Sequence, residues 1–485
     1  MSKEKLNTGQ KALQINLDAK KYGTFAEIGA GQEVARWFFH VGKASGTVAK
    51  TISAYDMAVS DAIYGPAARY VSRHRLGAML DLEFDLLLQR LNATRGDRCT
   101  FFAFANTVTT KAVTKPGQEE GHGWLGIKFQ TIPRGEPSTI IIHVRMLDWE
   151  TPRQQEAVGI IGVNLIHAAF YQHAEPEQLI SSLLDGLTSQ RVEVDMIKFS
   201  GPAFVGVDNR LMALQLVQQW LTEAAMFTAD GETVIPSELL YKKPVLLERG
   251  SFRPLTNPML DMMDRAHDRF LREPVLQGEE PVAMFEMTLR QLQVGDAIDH
   301  QDFLDRVDTL AALGKPVLIS NFLRYHRLVS YLSRQTQKPI GLPIGLVRLR
   351  DVLDEKFYTD LAGGLMESLG QLFKNGAKLY VYPSLDKKTG KLITIQNLDV
   401  APHLRHLYAH LVENKFIEDI TDYNPAALTV YSGDVLAKIQ AADESLVKVI
   451  PPPIFEVIKA KKLFGWGDMF GWNDKTPPTV PPPAA

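Results

Sequence analysis

The feature that most constrains the fold is an alternation of short apolar strands and helical stretches between about residues 138 and 400. The predicted strands are Thr139–Leu147, Val192–Phe199, Ala224–Ala229, Val282–Met287, Pro316–Ser320, Pro339–Ile344 and Lys378–Tyr382. Because a strand–helix–strand crossover brings its two strands into one sheet in parallel, this pattern predicts an α/β fold with a mostly parallel sheet. The same pattern fits an open doubly wound sheet or an irregular closed barrel, since both have nearly continuous apolar strands.

Other parts of the chain show different patterns. Apolar residues spaced at three and four predict a helical region over 1–97, which would cap the core. Alternating apolar residues predict a small antiparallel strand element over 98–148. The α/β core is predicted over 138–400, a C-terminal helical region over 401–450, and a proline-rich tail over 451–485.

Composition excludes some classes of function. The 485 residues carry a net charge of -3, which argues against nonspecific nucleic-acid binding because that normally needs a basic surface. Cys99 is the single cysteine, so an intrachain disulfide and a cysteine-rich metal site are excluded and a reducing, cytoplasmic location is expected. Neither a secretory signal nor a run of about 18 uncharged apolar residues is seen, so no transmembrane segment is expected.

A pair of alternating glycines, Gly29 and Gly31, precedes a helical stretch in the segment GTFAEIGAGQEVARWFF at Gly23–Phe39. A dinucleotide-binding fingerprint needs a third glycine where Val34 stands. The pair therefore predicts either a nucleotide loop or a tight turn that lets two backbone segments pack closely.

Acidic residues follow or close several predicted strands. Ligands of parallel α/β proteins bind beyond the carboxyl ends of the strands, where Asp148, Asp230 and Glu286 would lie. We expect these three carboxylates to act as catalytic groups that position a hydroxyl or a Mg²⁺ ion. The alternative for Asp148 and Asp230 is a turn residue or a helix cap.

Basic residues and one amide are expected to bind an anion such as phosphate. They come from the first turn of a helix after Asp208, from the basic segment YKKPVLLERGSFRP, and from SNFLRYHRL, which follows an apolar strand. The alternatives are a solvated basic loop for the second segment and a solvent-facing amphipathic helix for the third. The predicted phosphate-binding residues are Arg210, Lys243, Arg249, Arg253, Asn321 and Arg324.

Histidines offer a further candidate chemistry. His122, in the glycine-flanked segment GHGWLGIKF, could be a general acid or base, or a surface turn residue. His143 and Arg145 alternate along one strand and therefore share a face, where they line a cleft or form a pair on an edge strand.

The C-terminal tail repeats F-G-W at Phe464–Trp466 and Phe470–Trp472, after the basic run Lys459–Lys462. Aromatic anchors beside cations suit a protein partner or a membrane interface. Folding back onto the same molecule is the alternative.

Several segments resemble a bacterial family of about this length, among them YGTFAEIGAGQEVARWFF, VDNRLMALQLV and LYKKPVLLERGSFRP. The resemblance covers about Leu6–Pro452, and some members of the family carry an automatic label of nicotinate-nucleotide adenylyltransferase. The H-x-G-H and I-S-x-T-x-x-R motifs of such adenylyltransferases are not reproduced by GHGW at Gly121–Trp124 or by LISNFLR at Leu318–Arg324. The order of strands also resembles the layout of nicotinate phosphoribosyltransferases.

Together these observations predict an enzyme that binds a nucleotide or phosphorylated metabolite, with Mg²⁺ as its expected cofactor. The resemblance implies a nucleotidyl or phosphoribosyl transferase of nicotinate or NAD metabolism. The alternative is a noncatalytic assembly or scaffold protein that docks through Phe464–Trp472, and an oligomer is open under either reading.

Overall fold

The computed structural model describes residues 5–111, 121–295, 297–386, 388–430 and 435–467. Its contacts divide the chain into two compact units, Met1–Ala225 and Met226–Ala485. The region boundaries predicted from the sequence at residues 97, 148 and 400 fall inside these units and do not coincide with the division at Ala225.

Unit 1 contains one sheet and seven helices among its described residues. The strands are β1 Lys21–Gly29, β2 Val48–Ile52, β3 Thr100–Thr109, β4 Gly121–Phe129, β5 Ser138–Met146 and β6 Val192–Ser200. The helices are α1 Thr8–Asn16, α2 Glu33–His40, α3 Met57–Tyr64, α4 Arg73–Arg95, α5 Thr151–Tyr171, α6 Pro176–Ser182 and α7 Asn209–Gln218.

The six strands of unit 1 follow the order β2-β1-β3-β4-β5-β6. The β1 strand pairs in parallel with β2 and β3, whereas β3, β4, β5 and β6 pair in antiparallel fashion. The antiparallel strands predicted over 98–148 are therefore present, but they belong to a larger sheet. The region 1–97 is not purely a helical cap, because β1 and β2 join that sheet.

Helices cover both faces of this sheet. Leu76 and Leu80 of α4 pack against Gly126 on one face, while Gly162 of α5 meets Val34 of α2 and the ring of Phe104 on the other. The α5 helix is buried along most of its length, as expected for a helix that is apolar on all sides. Unit 1 is thus a three-layer arrangement around its own apolar core.

Unit 2 contains a larger sheet with helices between its strands. The strands are β7 Ala224–Phe227, which begins at the unit boundary, β8 Thr233–Val234, β9 Val245–Arg249, β10 Val282–Thr288, β11 Gln293–Val294, β12 Ala297–Ile298, β13 Val317–Ser320, β14 Ile340–Gly345, β15 Lys378–Tyr382, β16 Ser384–Leu385, β17 Leu392–Ile393 and β18 Ile417–Asp419. The helices are α8 Pro236–Leu239, α9 Asn257–Leu271, α10 Leu289–Leu292, α11 His300–Ala311, α12 Tyr325–Gln335, α13 Leu346–Leu353, α14 Gly364–Leu372, α15 Arg405–Glu413, α16 Val435–Gln440 and α17 Pro452–Lys461.

The eight-stranded sheet of unit 2 has the order β18-β15-β14-β9-β10-β13-β7-β8. The pairs from β18 through β13 are parallel, and β8 is an antiparallel edge strand on β7. This confirms the predicted α/β fold with a mostly parallel sheet. Two of the seven strands predicted for that sheet, Thr139–Leu147 and Val192–Phe199, instead form β5 and β6 in the antiparallel part of the unit 1 sheet. The sheet is open, so the doubly wound alternative is adopted and the barrel is not.

One central strand was missed by the sequence analysis. The basic segment YKKPVLLERGSFRP has a solvated loop as one of its predicted forms, yet Val245–Arg249 within it forms β9 in the middle of the sheet. The run is only five residues long and lies between Pro244 and Gly250, so its flanks carry turn signals while its apolar residues are few.

The strand order reverses direction at β9. The chain leaving β9 continues to β10 on one side, whereas the chain leaving β14 continues to β15 on the other. The register joins β14 to β9 only at Ile340↔Val245 and Gly341↔Leu246. The carboxyl ends of these two strands therefore separate at a topological switch point, where open α/β sheets bind their ligands.

The C-terminal segment folds back onto unit 2 as far as it is described. Phe464 is fully buried, and its backbone N–H donates to Asp305 Oδ2 at 2.6 Å. The ring of Trp466 lies 5.6 Å from that of Phe455 on α17. The first F-G-W sequence thus packs on its own unit, while Phe470–Trp472 lies outside the described residues. Across the described chain, no helix combines the length and apolarity that a bilayer crossing requires.

Candidate functional site

The candidate site lies at the carboxyl ends of β9, β10 and β13 and centres on Arg249 and Glu286. These residues are register partners on β9 and β10. Arg249 Nε and Nη2 donate to the two carboxylate oxygens of Glu286 at 2.7 and 2.8 Å. The side chains are 6% and 0% exposed, respectively. Such a bidentate ion pair holds the guanidinium plane in one orientation.

The next strand and its loop complete the arrangement around this pair. Ser320, the last residue of β13, donates its hydroxyl to Glu286 Oε1 at 2.5 Å. Arg249 Nη1 donates to the carbonyl of Leu323 at 3.4 Å, and its guanidinium lies 4.6 Å from the ring centroid of Tyr325. The Arg249 side chain is therefore packed under the loop that begins at Asn321.

The loop after β9 is fixed by a second group of ion pairs. Arg253 Nε donates to Asp302 Oδ1 at 2.5 Å, and Arg306 donates to the other oxygen of Asp302. Arg306 also donates to the carbonyl of Ser251 at 3.0 Å. Between them, Phe252 has a φ of 45°, a conformation that costs a residue with a side chain about 1–3 kcal/mol. The loop is thus held in a defined and locally strained shape.

Two helices begin at this edge of the sheet without a side-chain cap. Arg324 is the N-cap residue of α12 and Gly345 is the N-cap residue of α13. A guanidinium only donates and glycine has no side chain, so neither residue can cap the N–H groups of the first turn. The first backbone N–H groups of a helix carry a partial positive charge and bind anions. The carboxyl edge of the sheet therefore offers backbone donors at the start of α12 and at the start of α13.

The start of α12 is also electropositive through its side chains. Burial, and then the charges of Arg324 and Arg327, lower the pKa of His326. The His326 ring is 3% exposed and hydrogen-bonds Ser368 through Nδ1 at 2.9 Å, so it is a neutral core residue. Arg324 pairs with the exposed Asp360 at 2.6 Å, an ion pair that an incoming anion can replace.

Five of the nine predicted site residues lie along this edge of the sheet. Arg249 and Glu286 are in direct contact, Asn321 follows Ser320 and is half-buried, and Arg324 begins α12. Arg253 lies in the loop after β9 and is engaged by Asp302.

Two predicted residues of unit 2 are not part of this group. Lys243 precedes β9, so it lies at the amino end of that strand and is exposed. Asp230 lies in the turn between β7 and β8, where Thr228 donates to its carboxylate at 2.5 Å. Asp230 is thus a turn residue, which was the alternative interpretation.

Two others lie in unit 1, outside its strands. Asp148 follows β5 and accepts a hydrogen bond from Arg191 Nε at 2.8 Å. Arg210 pairs with Asp208, the N-cap residue of α7, at 2.6 Å. Asp208 accepts from the backbone N–H of Arg210 as well, so the carboxylate of Asp208 compensates the cation in the first turn.

Sequence reasoning missed Ser320, Tyr325, Asp302 and Arg306. Ser320 was the last residue of a predicted strand and stood next to Asn321, which was the available signal. Asp302 and Arg306 are spaced by four on α11, a spacing that indicates a helical ion pair but not the loop it anchors.

The glycine pair of unit 1 forms a tight turn. Gly29 has a φ of +77°, and a Cβ there would lie 2.0 Å from the carbonyl oxygen of Val108. The start of α2 is already occupied, because Glu27 Oε1 accepts from the backbone N–H of Ala35 at 3.3 Å. The packing interpretation is therefore confirmed, and the carboxyl group of Glu27 occupies a donor of the first turn of α2 that a phosphate would need.

Among the described residues, no group of three or more His, Cys, Asp or Glu side chains is arranged to hold a metal ion. At the candidate site Glu286 is committed to Arg249 and Ser320. The carboxylates predicted to hold Mg²⁺ are thus not gathered in one place.

Comparison with known proteins yields limited likeness. No family model matches the chain, and no curated protein matches it. Solved structures that align include the competence/damage-inducible protein CihA of Agrobacterium tumefaciens, with 17% identity and a TM-score of 0.24 over 35% of this chain and 98% of that one. A CinA superfamily protein of Enterobacter cloacae aligns with 14% identity and a TM-score of 0.25 over 35% of this chain and 95% of that one.

A nicotinic acid mononucleotide adenylyltransferase of Plasmodium falciparum also aligns, with 11% identity and a TM-score of 0.27. That alignment covers 46% of this chain and 98% of the other. Its activity is the one that the sequence resemblance named. TM-scores this low do not define a shared fold.

Proposed function

We propose that unit 2 binds a small molecule bearing a phosphate group at the carboxyl edge of its sheet. The observation that carries this proposal is the separation of β9 from β14 beyond Gly341↔Leu246, at the point where the strand order reverses. Crevices at such switch points are where open α/β sheets take their ligands.

The anion would be bound by the start of α12. Its first backbone N–H groups, the side chain of Arg324 and the amide of Asn321 together provide donors of the kind that phosphate oxygens accept. Arg324 would exchange its exposed partner Asp360, whose side chain is 63% exposed, for the phosphate.

Arg249 and Glu286 take a supporting role in this proposal. Glu286 was predicted as a catalytic carboxylate, yet both of its oxygens accept hydrogen bonds from Arg249 and it is fully buried. The pair instead supports the 321–324 loop from below, through the bond of Arg249 to the Leu323 carbonyl.

We expect Mg²⁺ to bind only together with the phosphate ligand. Mg²⁺ is commonly held by substrate phosphates together with few carboxylates, so ligand binding is to be measured with and without it. A nucleotidyl or phosphoribosyl transfer in nicotinate or NAD metabolism stays a prediction of the sequence resemblance.

The competing scaffold function receives less support. Phe464 is fully buried in unit 2 and Trp466 packs edge-to-face against Phe455, so the first F-G-W sequence is engaged within the chain.

A thermal-shift screen tests the proposal. The full chain is heated with inorganic phosphate, pyrophosphate, ribose 5-phosphate, AMP and ATP, each with and without Mg²⁺. A ligand present at 100 times its Kd adds about 2.7 kcal/mol to the unfolding free energy, which raises Tm by several degrees. The controls are sulfate and chloride salts at the same concentrations. The proposal is wrong if these salts raise Tm as much as the phosphate compounds do.

A further inference from the structure

Unit 1 contains a chain of three hydrogen-bonded side chains that the proposed function does not use. Asp195 Oδ1 lies 2.6 Å from His143 Nδ1, and His143 Nε2 lies 3.1 Å from His122 Nδ1. The three residues come from neighbouring antiparallel strands β6, β5 and β4. Asp195 and His143 are 6% and 2% exposed, whereas His122 is only half-buried.

A β-bulge places the carboxylate in this chain. The register pairs His143 with Met196 and Val144 with Val194, which leaves Asp195 as the extra residue of β6. A bulge re-aims a side chain that regular alternation would direct elsewhere, and bulges are concentrated next to active sites. Without it, Asp195 and His143 would not meet in this way.

The ring of His143 is held in place from another side by an aromatic residue. The ring of Trp124 on β4 lies 4.8 Å from that of His143. Trp124 is 1% exposed, and its indole Nε1 finds no hydrogen-bond partner among the described residues. A buried donor of this kind is uncommon in a purely structural cluster.

Asp195, at the acidic end of the chain, sets the direction of both hydrogen bonds. An ionised Asp195 accepts the Nδ1 proton of His143, so His143 Nε2 is left to accept the Nδ1 proton of His122. The remaining nitrogen of His122, Nε2, then carries a free electron pair at the outer end of the chain.

The half-buried end of the chain lies where the parallel strands of unit 1 stop. His122 is the second residue of β4 and pairs with Thr109, the last residue of β3, and with Arg145 of β5. This is the edge at which β1 and β3 have their carboxyl ends, the edge that receives ligands in parallel sheets.

We propose that His122 is the general base of a second site, in unit 1, with His143 and Asp195 as the residues that position it. Its substrate would be a small molecule, or a water held beside one, that presents a weakly acidic O–H group. The O–H bond breaks as the His122 Nε2–H bond forms, and the Nδ1 proton of His122 passes to His143 Nε2. The positive charge then resides on His143, against the carboxylate of Asp195.

Burial sets the protonation state of His122. It is the main cause that lowers the pKa of His122 to about 4, and Asp195 opposes that shift. Arg145, the cross-strand neighbour, is paired with Glu193. His122 is therefore neutral at pH 5 to 8 and available to accept a proton.

Diethylpyrocarbonate tests the proposal because it modifies a histidine only when the attacking imidazole nitrogen is unprotonated. The full chain is treated between pH 5.5 and 7.5, and the modified peptides are quantified by mass spectrometry. We expect the rate at His122 to be nearly independent of pH. The exposed His403, which pairs with Glu355, serves as the reference histidine in the same digest.

The variants Asp195→Asn and His143→Gln separate a relay from a structural cluster. We expect each variant to lower the rate at which diethylpyrocarbonate modifies His122 by at least about tenfold at pH 7, in line with general-base effects. The rate of modification at His403 should not change. A long-range ¹H–¹⁵N spectrum of the histidine rings should show the Nδ1–H tautomer of His122 in the wild type. The proposal is overturned if His122 is unmodified in the native protein, or if both folded variants, checked by circular dichroism, react at the wild-type rate.

Discussion

Arg249 and Glu286 face each other on neighbouring parallel strands, and the guanidinium donates two hydrogen bonds to the carboxylate within the interior of unit 2. A buried pair of this kind adds little net stability, because both ions lose their hydration, but it strongly fixes geometry. Here the fixed geometry extends to the Leu323 carbonyl and so to the loop before α12.

Removing one member of this pair should be more damaging than removing both. Glu286→Ala leaves the Arg249 charge buried without its partner and should lower the unfolding free energy by about 3–5 kcal/mol. The double variant Arg249→Met, Glu286→Leu should lose less than Glu286→Ala alone. Urea denaturation of the three proteins measures this order, and a double variant less stable than Glu286→Ala would contradict it.

Glu27 should make the stability of unit 1 depend on pH. Burial raises the pKa of Glu27 to about 8, although the backbone N–H of Ala35 opposes that shift. Because the folded pKa exceeds the unfolded value, this group's stabilising contribution is complete below about pH 4.3 and is lost as the pH rises toward 8.

Glu27→Gln removes that titration. The stability of the variant relative to wild type should therefore increase between pH 5 and 8, by at most about 1.4 kcal/mol per pH unit. Urea unfolding at pH 5, 6, 7 and 8 measures the difference. A difference that stays constant over this range would show that Glu27 does not titrate there.

The turn at Gly29 should not tolerate a side chain. Gly29→Ala combines a positive φ, which costs an L-residue about 1–2 kcal/mol, with a Cβ only 2.0 Å from the Val108 carbonyl oxygen. We expect a loss of more than about 2 kcal/mol of unfolding free energy. Gly77→Ala is the matched control, since nothing lies within 4 Å of its Cβ and it sits inside α4. That control should gain up to about 1 kcal/mol.

Phe464 distinguishes self-docking from partner docking. It is fully buried, so Phe464→Ala should lower the unfolding free energy by about 3–5 kcal/mol. Met366→Ala, at a side chain that is 63% exposed, should change it by less than about 0.5 kcal/mol. Equal Tm values for both variants would mean that Phe464 is not anchored in unit 2.

Much of the unit 2 sheet could be predicted from sequence because its strands are apolar runs separated by helices. Lys378–Tyr382 has the predicted bounds, and β10 and β13 differ from prediction by one residue at an end. The β9 strand was missed because Pro244 and Gly250 flank a run of five residues. Its central position comes from pairing with β10 and β14, which are far away in sequence.

The site was harder to predict because its contacts depend on strand neighbours and register. Arg249 and Glu286 were both selected, but their pairing needs β9 beside β10. His122 and His143 were noticed separately, and only the β4–β5 register joins them. The bulge at Asp195 leaves no sequence signal. Asp148 and Asp230 were predicted as catalytic from strand ends, where turn residues with the same chemistry also occur.

The most direct measurement of the central claim is the Kd of inorganic pyrophosphate, by isothermal titration calorimetry, for the wild type, Arg324→Ala and Arg334→Ala. Arg334 lies in the last turn of the same helix and stacks on Tyr331, so it serves as the matched control. Loss of a charged hydrogen bond to phosphate costs about 1.5–3 kcal/mol, so Arg324→Ala should weaken binding roughly 10- to 100-fold. Arg334→Ala should bind as the wild type does. Equal affinity of all three proteins, or no binding by the wild type at millimolar pyrophosphate, would contradict a phosphate site at the start of α12.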